Sequence, residues 1–443
     1  MIRRKVESEL QRWLESGTDR ALVVTGARQV GKTYLVRDFA AKHFKNVAYF
    51  DLATDRATLE AFAAATSADD LSLRISIATD VPLTPGDTVI IIDEVQEVPE
   101  ILTFVKALVQ KHNFRYILSG SLLEVRLEAV SSLPVGYATN LQMFGLDFEE
   151  FCWAMGLTNQ AFTELRTSFT AGTPVPDFLH KRLLDLWHRY LIVGGIPQAV
   201  ADYAAHGDVD RVREIQTDIR DYYRQDITKY APRELRLILT DIFDLIPSEL
   251  QMPNRRFKLS DIRDVKRYSQ VQQHFLWLAG AGVALPTYNV DAPVRPLLAS
   301  QQRNVFKLFA SDVGLLTSSF PKPVLLGLLD GSSDINLGGI TENAVATQLA
   351  AHGFASRYFT SKKIGELDFV VENNAGEVAA LEVKSGSRFR SHTALNNALD
   401  VPEYTIDRAF VFVDSPKVNL EENGKILYAP IYCASLLEYD KTV

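Results

Sequence analysis

The sequence predicts an α/β protein with a parallel sheet at its N-terminal end, and three observations predict it. Across residues 1 to about 150, short apolar runs alternate with helical patterns, as strands joined by crossover helices do. The first of these runs, Ala21–Thr25, leads directly into Gly26-Ala27-Arg28-Gln29-Val30-Gly31-Lys32-Thr33 and then a helix-compatible segment over residues 34–41. From about residue 301 the order is strand and helix (to His352), three strands, helix and strand, a compact α/β unit in its own right.

The loop after the first strand has the composition that a phosphate group requires. Gly26 and Gly31 permit torsions and a close backbone approach that a side chain would block. N–H groups at the start of a helix then cradle an anion. Lys32 is spaced to reach β- and γ-phosphates, and the Thr33 hydroxyl to ligate Mg²⁺. The nucleotide-binding set is therefore Gly26, Ala27, Arg28, Gln29, Val30, Gly31, Lys32, Thr33 and Tyr34, and the chain is expected to bind a nucleoside triphosphate.

Further strands are expected over 47–51, Thr88–Asp93, 116–119 and 138–143. The run Thr88-Val-Ile-Ile-Ile-Asp93-Glu94 is apolar and ends in two carboxylates. Asp93, at the carboxyl end of its strand, is expected to support Mg²⁺ opposite Thr33. Glu94 is the candidate general base for an attacking water. The strand over 47–51 lies between the two motif strands in the chain, favouring the class with an inserted strand. Ile117-Leu-Ser119-Gly-Ser121 is expected beside the phosphate strand, with Ser119 or Ser121 sensing the γ-phosphate.

Composition sets the outer limits. At 443 residues the chain exceeds one ordinary core. Its 47% apolar and 23% charged residues are those of a globular protein. Charges at Arg3, Arg4, Lys5, Glu7 and Glu9 stand where a signal peptide needs its apolar core, and no apolar run approaches a membrane span. Cys152 and Cys433 make neither a disulfide framework nor a zinc cluster. The expectation is a cytoplasmic protein without a membrane partner. A net charge of −8 argues against a surface coated for nucleic acid but leaves room for a local basic patch.

Residues 150–235 read as helical, with a polar, proline-containing stretch at 167–176 and a helix break at Gly194-Gly195. Residues 235–300 read as three helices and a short strand, which suits a winged helix. Its third helix would span 269–279, with Val271, Phe275 and Leu278 at helical spacing. Arg255, Arg256, Lys258, Arg263, Lys266 and Arg267 precede it, interleaved with Asp261 and Asp264. Gln270, Gln272, Gln273 and His274 would face base edges in a major groove. A solvated helical connector is the competing reading of the same residues.

Farther on, Glu366-Leu-Asp368 and Glu382-Val-Lys384 flank Asn373-Asn-Ala-Gly376, a turn sequence between two strands. Side chains repeat every two residues along a strand, so Glu382 and Lys384 share a face that Asp368 can join. Two such carboxylates can share a metal ion that polarises a phosphodiester, with the lysine acting on the water. Glu342, on the preceding helix, is the natural fourth member. A solvated Glu-x-Lys face is the plain alternative.

Gly26–Thr33, Asp93-Glu94-Val-Gln96, Ile117–Ser121, Asp147-Phe-Glu-Glu-Phe151 and Gly194-Gly-Ile-Pro197 together resemble prokaryotic AAA-type ATPases. Close relatives carry an appended C-terminal domain that looks like a restriction-endonuclease fold, and Phe306–Leu316, Thr341-Glu342-Asn343 and Glu382–Gly386 are similar to it. The resemblance implies ATP as ligand, Mg²⁺ as cofactor, probable hydrolysis, and an AAA-type P-loop sheet. One departure is Tyr137, where the family usually places an arginine after Gly136. Arg115, Arg126, Arg220 and Arg224 are all candidates for an arginine finger, within an oligomer.

The expected organisation is an AAA-type nucleotide-binding domain over 1–150, a helical lid over 151–234, a winged-helix-like segment over 235–300 and a restriction-endonuclease-like domain over 301–443. The functional expectation is a Mg²⁺-dependent ATPase coupling nucleotide state to a nucleic-acid-facing, nuclease-like C-terminal half, with DNA ahead of RNA. The alternative is an ATP-binding switch or protein remodeller whose C-terminal domain only docks a partner.

Overall fold

The computed structural model describes residues 2–17, 20–111, 114–121, 136–253, 255–262, 265, 267–329, 338–385 and 389–440. The chain forms two compact units. One comprises Arg4–Phe144 with Gly280–Gly282; the other comprises Met1–Arg3, Gly145–Ala279 and Val283–Val443.

In the N-terminal unit the order is α1 (Glu7–Glu15), β1 (Ala21–Thr25), α2 (Lys32–His43), β2 (Asn46–Asp51), α3 (Arg56–Ala63), α4 (Ala68–Ala78), β3 (Thr88–Asp93), α5 (Ile101–Lys111), β4 (Arg115–Ser119) and β5 (Ala138–Gln142). The strands form one parallel sheet in the order β2-β3-β4-β1-β5. Every residue of β1 and β3 is buried, which is why both read as unbroken apolar runs: a parallel strand is covered on both faces. The strand inserted between the two motif strands is β4, next to β1 as expected, while β2 takes the edge. This order gathers the carboxyl ends of β1, β4 and β3 side by side, where α/β sheets bind ligands. Ile90, Ile92, Leu118 and Val23 join the helices in one core.

The second unit begins with helices: α6 (Phe148–Ala154), α7 (Asn159–Ala171), α8 (Asp177–Val193), α9 (Pro197–His206), α10 (Val209–Tyr230), α11 (Arg236–Gln251) and α12 (Gln272–Gly280). Asp147 and Glu150 form a reciprocal capping box at the start of α6. The paired glycines end α8 as expected, Gly194 with φ +69°. A Cβ on Gly195 would lie 2.2 Å from the Leu146 carbonyl oxygen, so only glycine fits that crossing. Then follow β6 (Ala284–Val290), β7 (Gln301–Ala310), α13 (Val313–Thr317), α14 (Lys322–Leu329), α15 (Gly338–Ala351), β8 (Arg357–Ser361), β9 (Gly365–Glu372), β10 (Val378–Ser385), α16 (Thr393–Leu399), β11 (Ile406–Asp414), β12 (Glu421–Asn423) and β13 (Ile426–Pro430). These strands make a mixed sheet in the order β12-β13-β11-β10-β9-β8-β6-β7. The expected sequence of helix, strand, hairpin, helix and strand is present from α15 to β11.

Two expectations change here. The segment 235–300 is not a winged helix standing alone, because its strand β6 pairs with β7 and with β8 inside the large sheet. Between α11 and α12 the described residues form 3₁₀ turns at Leu259–Asp261 and Tyr268–Gln270 rather than a middle helix. Aromatic packing explains the arrangement. Phe257 stacks on Phe306 of β7 at 6.1 Å, and Phe275 of α12 meets the same ring edge-on at 4.6 Å. The second change is at 167–176. Helix α7 runs on to Ala171, and Val175 is buried, its N–H donating to Asn419 at 2.8 Å. This is not an open polar stretch.

Candidate functional site

At the end of β1, Gly26 takes φ +137°, and a Cβ there would meet the Met143 carbonyl oxygen at 2.1 Å. Gly31, with φ +94°, caps α2, so the loop closes on the helix N-terminus at Lys32. That combination forms an anion cradle. The Lys32 ammonium is buried and donates to the Gly26 and Ala27 carbonyls at 2.9 and 2.8 Å. It is held inside the loop, at the position from which a phosphate is met. Arg4 donates to the Val30 carbonyl at 3.0 Å and steadies the loop from outside.

Asp93 is the hub of this unit's site. Its Oδ2 accepts from the Thr33 hydroxyl at 2.6 Å and the Tyr49 hydroxyl at 3.0 Å. Its Oδ1 accepts from the Ser119 hydroxyl and from the Glu94 N–H, the latter at 3.0 Å. Burial and the Asp93 charge hold the Tyr49 phenol well above its ordinary pKa, so it stays a donor. Glu94 occupies the left-handed region at φ +54°, rare for a residue with a side chain. Gln96 donates to its Oε2, and the Ser121 hydroxyl lies 3.4 Å from the same oxygen.

The structure thus brings together the loop, Thr33, Asp93, Glu94, Ser119 and Ser121. Ser119, expected as a phosphate sensor, is fully buried and spends its hydroxyl on Asp93. Gln96 entered the sequence reading only as the end of the Asp93-Glu94-Val-Gln96 motif, without its bond to Glu94. Tyr49 escaped it: nothing in the spacing of β2 marks Tyr49, since its hydroxyl crosses to a neighbouring strand. Tyr137 does not replace an arginine chemically; its hydroxyl accepts from Gln110 at 3.1 Å and its ring lies 5.1 Å from the Lys106 ammonium. Of the arginine-finger candidates, Arg115 lies over the Trp13 ring. Arg224 is paired with Asp221 and Asp244 at 3.0 and 2.6 Å. Arg220 is half-buried, and burial lowers its pKa. Arg126 lies outside the described residues.

The C-terminal carboxylates also converge, within the second unit. β9 and β10 form the expected antiparallel hairpin, with Phe369 opposite Leu381. Asp368 accepts the Val383 N–H at 2.8 Å. Glu382 is almost wholly buried, and its Oε2 accepts from Lys384 at 2.5 Å. Burial first, then the Asp368 charge, pushes the Glu382 carboxyl up to about 8. No donor reaches the buried Glu382 Oε1.

Glu342 departs from the expectation. Its Oε1 accepts from Arg255, and its Oε2 lies 3.3 Å from the ammonium of Lys307, a fully buried lysine of β7. Lys307 also pairs with Glu366 at 3.0 Å. Among the described residues no three His, Cys, Asp or Glu side chains are disposed to hold a metal ion. The set Glu342, Asp368 and Glu382 is therefore not a three-carboxylate metal site: Asp368 and Glu382 meet, while the oxygens of Glu342 are taken by cations of the chain.

Of the basic residues of the middle segment, Arg255 and Arg256 turn inward, Arg256 donating to Thr360 at 2.7 Å and Glu366 at 3.2 Å, whereas Arg267 is exposed. His274, expected at a base edge, is buried. Arg263, Asp264 and Lys266 lie outside the described residues, as do Gly386, the end of the Glu382–Gly386 motif, and the part of the Gly136 motif before that glycine.

Comparison with known families agrees with the N-terminal geometry. Residues 18–152 match the family described as an AAA domain. Residues 184–323 and 337–433 match two domains of unknown function, DUF8612 and DUF4143. The chain thus carries an AAA-type, P-loop ATPase-like domain, built to bind ATP. No curated protein matches the chain. Among solved structures, the Walker-type ATPase paby2304 of Pyrococcus abyssi overlaps 72% of this chain and 95% of its own at 16% identity, with a TM-score of 0.43. A RuvB variant of Thermotoga maritima overlaps 69% and 90% at 12% identity, TM-score 0.29. PCH-2 of C. elegans overlaps 46% and 61% at 13% identity, TM-score 0.26. In the second unit no helix is long and apolar enough to cross a membrane, and none is in the first, among the described residues.

Proposed function

We propose that the chain is a Mg²⁺-dependent ATPase whose nucleotide state governs a C-terminal domain of restriction-endonuclease-like fold that meets nucleic acid, DNA ahead of RNA. The observation that carries the ATPase reading is the Asp93 hub, which accepts both from the loop hydroxyl of Thr33 and from the backbone N–H of Glu94. Lys32 binds the β- and γ-phosphates by charge. Thr33 and Asp93 are the residues that would hold Mg²⁺, which neutralises phosphate charge when bound. Glu94, kept in place by Gln96 and Ser121, accepts the proton of the attacking water.

Binding of nucleic acid without cleavage is the second reading, and the engagement of Glu342 by Arg255 and Lys307 favours it. Asp368 and the unpaired Glu382 Oε1 are the remaining pair open to a metal ion. The test is ATP turnover with Mg²⁺ and with a chelator, beside retention and cleavage assays on single- and double-stranded DNA. Turnover that persists in chelator rejects the metal-dependent ATPase. Retention that weakens with salt supports a phosphate-contacting surface, and its absence leaves a protein partner as the target.

A further inference from the structure

Tyr49 reaches the Asp93 hub from a strand of its own. In the register of β2 on β3, Asp51 stands beside Asp93 and Tyr49 beside Ile91. Tyr49 therefore shares the face of Asp93 but lies two residues earlier, about 6.6 Å at the rise of a strand. A phenol spans that gap where a serine or threonine hydroxyl falls short, and its O–H donates to Oδ2 of Asp93 at 3.0 Å. The guanidinium of Arg37, on α2, lies 4.6 Å from the centre of the ring. A carboxylate has room for about four donors, and Asp93 has four: the hydroxyls of Thr33, Tyr49 and Ser119 and the N–H of Glu94. Thr33 belongs to the phosphate loop, and the Glu94 N–H to the turn that follows β3. Tyr49 and Ser119, from the strands on either side of β3, are the two that fix the carboxylate against the sheet.

Glu94 depends on that fixed carboxylate. Its backbone stands at φ +54° and ψ +42°, a conformation that a side-chain-bearing residue keeps only where its surroundings impose it. The N–H of this strained residue is held by Oδ1 of Asp93 at 3.0 Å. We propose that Tyr49 is a positioning residue for ATP hydrolysis: by locking Asp93, its hydroxyl locks the turn that aims the Glu94 carboxylate at the attacking water. In that step the water oxygen bonds to the γ-phosphorus, the bridging oxygen leaves with its electron pair on ADP, and the water's proton passes to Glu94. Tyr49 takes no part in the bond changes and acts only through Asp93. This inference rests on the reading of Glu94 as general base, and the test separates the two.

The full-length chain is assayed for ATP turnover with Mg²⁺ as Tyr49→Phe, as Glu94→Gln and as the double variant, with the urea midpoint of each measured alongside. Tyr49→Phe keeps the ring beneath Arg37 and leaves Asp93 its other three donors. It removes one hydrogen bond to a charged group, so kcat is expected to fall roughly 10- to 100-fold. The KM for ATP and the affinity for a fluorescent, non-hydrolysable ATP analogue are expected to stay within about twofold, since no binding contact is lost. In the Glu94→Gln background the same substitution is expected to cost less than about twofold more, because no base remains to be aimed. A residue that merely supported the fold would lower the urea midpoint and cost the same in both backgrounds. Full turnover in Tyr49→Phe, an equal loss in both backgrounds, or a loss of roughly tenfold in analogue affinity overturns the positioning role. Wild-type turnover in Glu94→Gln removes the base itself and the proposal with it. Lost turnover in Glu94→Gln beside full turnover in Tyr49→Phe overturns the role of Tyr49 alone.

Discussion

The Thr33 hydroxyl donates to Asp93 at 2.6 Å across sixty residues of chain. The contact exists because β4 separates β1 from β3 while all three strands end at the same edge. The loop hydroxyl and the strand carboxylate proposed to hold Mg²⁺ are therefore already in register with each other. Tyr49 and Ser119 hold the carboxylate from two further sides.

Lys32→Ala removes the one buried ammonium of the phosphate loop. Charge-assisted hydrogen bonds are worth roughly 1.5–3 kcal/mol each, so ATP affinity should fall roughly 100-fold. Titration with a fluorescent ATP analogue measures this. Unchanged affinity would place the nucleotide elsewhere.

Glu94→Gln keeps the side chain's size and leaves Asp93 intact. ATP binding is expected to persist while turnover falls roughly 10²- to 10⁴-fold, the usual weight of a general base. Single-turnover hydrolysis reads the difference, and wild-type rates would remove Glu94 from the mechanism.

Asp312 gives a pH prediction. It is buried, accepts the N–H groups of Gly195 at 2.6 Å and Leu315 at 2.9 Å, and burial pushes its carboxyl up to about 6. A folded pKa above the unfolded one means that the native state holds the proton longer. Its contribution to stability is full below about 4 and is lost as pH rises through about 6, an effect of up to about 3 kcal/mol. Urea unfolding of the whole chain at pH 4, 5, 6 and 7 should show this decline, and Asp312→Asn should flatten it. An identical slope in the variant would count against the assignment.

Gly195→Ala places a methyl group 2.2 Å from the Leu146 carbonyl oxygen, where backbone must move. Overpacking of this kind costs about 3 kcal/mol. The urea midpoint should drop accordingly, whereas Gly207→Ala, with nothing within 4 Å of its added carbon, pays only for its φ of +66°.

Legibility in the sequence followed burial. β1 and β3 were readable to the residue because strands covered on both faces are uninterrupted apolar runs. The loop and Asp93 were readable because their chemistry sits at fixed spacing. Lys307 was not, since a lysine in a strand ordinarily signals solvent, and its partner Glu342 stands 35 residues away. Arg255 read as part of a basic face, yet its partner is 87 residues distant. The separate winged helix failed for the same reason: Phe257 and Phe275 look like a local core, but both pack on Phe306.

The place of β6 in the large sheet also orders events on the ribosome. β7 can close one edge of β6 as soon as it emerges, but the other edge waits for β8, 67 residues later (357 − 290). At ordinary synthesis rates that is roughly 3–13 s with an open strand edge, the kind of surface that recruits other chains. This interval is where the nascent protein most needs a chaperone, and a chain begun at residue 301 would lack β6 and leave the facing edges of β7 and β8 open for good.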